Sequence, residues 1–115
     1  MLNIPSIQNV IKPNKIEQGF KLPLFTIVIG RNAEGNFFSE NTLLSYISHQ
    51  GASFYLKTPV SFGTKLKLTI DLPLKLGDKN LKLFIQGKVV FVEAVNNDNS
   101  QWRVSIKFRN NYRIK

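Results

Sequence analysis

From residue 64 to residue 72 the chain alternates without a break. Leu66, Leu68, Ile70 and Leu72 fall on one side, and Lys65, Lys67, Thr69 and Asp71 on the other. Successive side chains of a strand point to opposite faces, so this spacing predicts a half-buried β-strand and excludes an amphipathic helix. The same period returns over residues 101–109, where Trp102, Val104, Ile106 and Phe108 oppose Arg103, Ser105, Lys107 and Arg109. A slip of one residue would turn every apolar side chain to water, so the register is strongly specified. The predicted core therefore holds Leu66, Leu68, Ile70, Leu83, Ile85, Val89, Trp102, Val104, Ile106 and Phe108. Lys65, Lys67, Arg103 and Lys107 are predicted to be exposed.

Four further stretches, 22–29, 37–49, 51–57 and 81–92, read as strands. Segments 30–36, 58–63, 73–80 and 96–100 carry the Gly, Pro, Asn and Ser of turns and loops. In the 37–49 stretch, Leu43, Ser45, Ile47 and His49 share one side, and Leu44, Tyr46 and Ser48 the other. Gly87, inside a strand, marks a bulge or a barrel corner. The fold class is all-β: a small antiparallel barrel of about six strands, in which closure removes the exposed edges. Residues 1–20 depart from this period. Ile4, Ile7 and Ile11 recur at helical spacing, Pro5 suits a first turn, and Lys12-Pro13 ends the pattern, which makes a short N-terminal arm or helix. The expected organisation is an arm at 1–20, a barrel domain at 21–110 and a tail at 111–115.

Chemistry-bearing residues are few. Without cysteine there is no disulfide, thiol nucleophile or thiolate metal site, and the single histidine, His49, cannot build a His-rich one. On a strand, adjacent Ser48 and His49 would point to opposite faces, so they do not pair as nucleophile and base. The seven carboxylates are dispersed, and no phosphate-loop, HExxH or GxSxG pattern occurs. The expectation is a binding module rather than an enzyme, needing no cofactor or metal. No apolar run approaches the roughly 18 residues of a membrane span, and no leader pattern is present, so the chain is expected to be cytoplasmic.

The formal net charge of +9 favours anionic partners. Twelve of the sixteen positive residues are Lys, scattered without a basic run, so a solvated surface and a functional anion site are equally good readings.

The order of elements, with Ile47-Ser48-His49-Gln50-Gly51-Ala52 at its centre, resembles the PilZ domain family. Gly35 and Phe38-Ser39-Glu40-Asn41-Thr42 precede that turn. A loop ending in Gly63 leads into Lys65-Leu66-Lys67-Leu68-Thr69-Ile70. Leu83-Phe84-Ile85-Gln86-Gly87-Lys88-Val89-Val90 and Trp102-Arg103-Val104-Ser105-Ile106-Lys107-Phe108 follow in the family's order, so the likeness spans residues 21–109. The resemblance implies a small barrel that binds cyclic di-GMP or acts through protein partners in bacterial motility and surface behaviour.

The family's nucleotide site combines Arg-x-x-x-Arg before the first strand with an Asp/Asn-x-Ser-x-x-Gly turn. Here the turn reads Tyr46-Ile47-Ser48-His49-Gln50-Gly51, with Tyr46 in place of the acid or amide, and residues 15–21 contain no arginine. Lysine offers a hydrated point charge where a guanidinium fork would grip phosphate and guanine. The resemblance thus implies an adaptor with a degenerate site, for which cyclic di-GMP is a ligand of weak or absent affinity. Any residual binding would fall to Ser48, Gly51, Lys21 and Arg31. For Ser48 and Gly51 the favoured reading is a plain turn with a hydroxyl bond and a left-handed glycine, which explains both residues without a ligand. Two alternatives stay open. One is a cyclic di-GMP receptor that uses other contacts. The other is a barrel binding single-stranded nucleic acid, in the manner of an OB-fold, against which the Arg103, Lys107 and Arg109 stripe lacks an interleaved aromatic.

Overall fold

The computed structural model describes residues 22–97 and 100–109, and the backbone of 113–114. The arm expected at 1–20 lies outside the described residues. Seven strands follow one another: β1 (Leu24–Arg31), β2 (Phe37–Ile47), β3 (Gly51–Leu56), β4 (Lys65–Leu76), β5 (Lys79–Ala94), β6 (Trp102–Phe108) and β7 (Arg113–Ile114). Every pairing is antiparallel, in the order β4-β1-β2-β3-β6-β5. A further β4–β5 pairing closes these six into a barrel, and β7 adds to β5 beside Leu83 and Phe84. No helix occurs among the described residues.

The alternation does what it predicts. Leu66, Leu68, Ile70, Leu83, Ile85, Val89, Val104, Ile106 and Phe108 all turn into the barrel, with Phe54, Leu44 and Leu56 beside them. Each such burial contributes about 1.5–3 kcal/mol. Lys65, Lys67, Arg103 and Lys107 face outward. Trp102 is the exception in the expected core. It begins β6, at the barrel's end, and is only partly buried against the core.

Two boundaries differ from expectation. The loop expected at 73–80 is mostly strand, because β4 runs on to Leu76 and β5 starts at Lys79, leaving only Gly77-Asp78 as a turn. The register shifts between Asp71 and Lys75, and that irregularity accommodates Pro73, which has no N–H for the ladder. Likewise β1 does not break at Gly30, which pairs with Phe38 and Leu66, while Arg31 pairs with Phe37.

Glu40, on β2, holds the segment that leaves β3. Its carboxylate accepts from Lys57 N at 2.7 Å and Thr58 N at 3.0 Å. Replacing Glu40 with alanine leaves both donors without that acceptor and is expected to cost about 1–2 kcal/mol. The readout is a lower urea midpoint at unchanged slope.

Candidate functional site

The turn between β2 and β3 begins with a bulge. Leu44 pairs with Phe54 and Tyr46 with Ser53, so Ser45 is an extra residue opposite neither. The insertion switches faces, which leaves Leu44 and Ile47 both buried and Ser45 and Tyr46 both outward. The expected grouping of Leu43, Ser45, Ile47 and His49 is overturned for that reason, since a bulge breaks period two without a sequence mark. His49 also leaves the strand and sits in the turn, so the opposite-face argument does not apply to it.

The turn itself is tightly tied. Ser48 N donates to Gly51 O at 2.9 Å, Gln50 N to Ser48 Oγ at 3.1 Å, and Phe108 N to Gln50 O at 2.8 Å. Ser48 is only 8% exposed, whereas Tyr46 is 48% exposed. Gly51 is not left-handed, since the positive-φ glycines of the described residues are Gly35, Gly63 and Gly77. A β-carbon on Gly51 would collide with Ile106 O. Close approach of β3 to β6, rather than a special φ, is what demands glycine there.

Lys21 lies outside the described residues. Arg31 is the last residue of β1 rather than part of a turn beyond it. Its guanidinium donates to Gly35 O at 2.8 Å and lies 4.0 Å from the centre of the Phe37 ring.

Ser48 and Gly51 stand together, but Arg31 does not join them. Stepping from strand to strand, Gly30 pairs with Leu66, which sets Arg31 beside Lys65. Lys65 then pairs with Lys88, Lys88 with Lys107, and Lys107 with Gly51. Arg31 is therefore about four strand spacings from Gly51, on the order of 19 Å around the row. The row is a spiral, leaving β2 at Phe37 and coming back to its far end at Ser48.

Between the named candidates Arg31 and Gly51, the spiral carries Lys65 and Lys88, which sequence reasoning did not single out as site residues, and Lys107, which it placed only in a basic stripe. A cleft of about 420 Å³ opens there, lined by Lys65, Gln86, Gly87, Lys88, Val90, Lys107, Phe108 and Arg109. Val90, next to buried Val89, faces outward into the cleft wall by plain alternation; it is the extra residue between Val89 opposite Ile106 and Phe91 opposite Ser105, and the bulge leaves Phe91 outward as well. Gly87 lets β5 come close to β6, because a β-carbon would stand 2.7 Å from Lys107 O. No carboxylate lines the cleft. Glu40 is taken by the Lys57 and Thr58 amides, Asp71 by Lys82 and Glu93 by Arg103. Positions 65, 88 and 107 are remote in sequence, and only the pairing register makes them neighbours.

The Arg103 stripe is not bare of aromatics. Phe91, across the strand boundary, lies 5.0 Å from its guanidinium. Elsewhere on the outer face, Phe25, Ile27 and Ile29 of β1 are exposed. No cluster of three metal-binding side chains occurs among the described residues, and no helix there is long and apolar enough to cross a membrane.

Among known proteins, the family model described as PilZ domain matches residues 20–114. Neither a curated protein nor a solved structure matches the chain.

Proposed function

The chain belongs to the PilZ domain family, and from that premise we propose that it is an adaptor of cyclic di-GMP signalling whose own nucleotide site is degenerate. Domains of this family are binding and adaptor modules, not enzymes. In this reading the module works in the bacterial cytoplasm, in motility or surface behaviour, and its output passes through a protein partner. Tyr46 carries the reading. At the position of the family's acid or amide it presents a phenol, 48% exposed and unable to accept from guanine as a carboxylate does. Residues 15–21 add no arginine fork, and Arg31, committed to Gly35 and Phe37, lies too far along the spiral to stand in for one.

Isothermal titration calorimetry of the unmodified chain with cyclic di-GMP tests this. The expected result is a dissociation constant weaker than about 100 μM, or no heat beyond dilution. Saturable binding at low micromolar concentration overturns the degenerate site and makes the chain a receptor that uses other contacts.

A further inference from the structure

We propose that the cleft on β4, β5 and β6 is a site for a run of phosphate groups, next to the Ser48 turn but lined by none of its residues. The observation is the lysine row. Lys65, Lys88 and Lys107 lie directly opposite one another on three neighbouring strands, all on the outer face. Like charges directly opposite across strands are destabilising, so the barrel carries a repulsion that its fold does not need. No carboxylate among the described residues relieves it. A bound polyanion would.

The geometry chooses the kind of anion. The row sets its three lysine-bearing strands about 5 Å apart, so the ammonium groups on their flexible stems converge on the oxygens of one short, multiply charged phosphate chain. Ammonium groups are point charges without the planar fork that suits a carboxylate or a guanine edge. Arg109 closes one end, its backbone held by Gln86 O at 3.2 Å. The cleft is concave and about 420 Å³, the size of a small-molecule site rather than of a protein footprint. No exposed ring lines it, so it is built for phosphates and not for a base.

The probes are inorganic triphosphate and adenosine triphosphate, titrated without divalent metal at fixed ionic strength. Lys88→Gln is expected to weaken both by about tenfold. It should also raise the melting temperature of the ligand-free protein by about 1–4 °C, because two repulsive pairs are lost. The triple variant Lys65→Gln, Lys88→Gln, Lys107→Gln should abolish binding. Lys57→Gln, Lys75→Gln, Lys79→Gln, of equal net charge, should retain it. Equal affinities for the two probes assign recognition to the phosphates alone, and tighter binding of the nucleotide assigns a further contact to its nucleoside. If neither probe binds, or both triple variants lose binding equally, the cleft is only part of a basic surface and the proposal fails. Silence toward cyclic di-GMP leaves this result untouched, because the variants spare Ser48 and Gly51.

Discussion

The variant Tyr46→Asp with Glu17→Arg and Lys21→Arg is expected to gain affinity for cyclic di-GMP by about a hundredfold or more. Each bidentate contact to guanine contributes about 1–3 kcal/mol, so three restored groups supply at least roughly two powers of ten. Spacing favours the pair of arginines, since positions 17 and 21 reproduce the Arg-x-x-x-Arg interval. Exposure favours the third change, because Tyr46 is half out of the protein and its removal opens no cavity in the core. Calorimetry measures the gain, and a melting temperature within a few degrees of the parent shows that the fold is unaltered. If the well-folded variant stays silent, the missing groups are not why the site is quiet.

Gly51→Ala is the second large effect, and it falls on stability. The added methyl has no open space, because its nearest neighbours are the carbonyl of Ile106 and the backbone of Lys107. A flexible side chain could move aside, but here either β3 or β6 must separate. Overpacking of this kind costs about 3 kcal/mol, and in a domain of this size the melting temperature should fall by on the order of 10 °C. The amide of Phe108, which donates to Gln50 O, should exchange faster with solvent as the two strands part. A melting temperature unchanged by the substitution would refute the close-approach account. The prediction also guards the function: lost ligand binding in a Gly51 variant reports on the site only when unfolding is measured beside it.

The barrel could be read from the sequence where side chains alternate and the ladder is regular. Lys65 to Leu72 and Val104 to Phe108 follow the two-residue period, and their faces come out as the spacing implies. Legibility stops where one residue is added or one donor is missing. Ser45 and Val90 are inserted without any change of residue type, yet each reverses the faces downstream. Pro73 has the chemistry of a loop but sits within β4, because a register shift in the hairpin spares it a hydrogen bond. Gly51 was legible as a special residue, but its reason lies on β6, in a carbonyl fifty-odd positions away. The lysine row fails to show for the same cause. Alternation tells that Lys65 and Lys107 point outward, but only long-range pairing tells that they flank Lys88.

The spiral has a consequence for how the chain can vary. Each outward position of the row has its neighbours on other strands, so substitutions far apart in sequence are coupled while many close in sequence are not. Lys88 is paired with a lysine on each flanking strand, whereas Lys107 is paired with Lys88 on one side and the side-chain-free Gly51 on the other. Charge reversal at Lys88 would turn two repulsions into attractions in one step, and reversal at Lys107 only one. The fitness effect of either change therefore depends on which lysines are already present, and the order in which they are exchanged matters. Residue 88 is the gateway for that epistasis, through which a descendant barrel could trade an anion-seeking face for a neutral one.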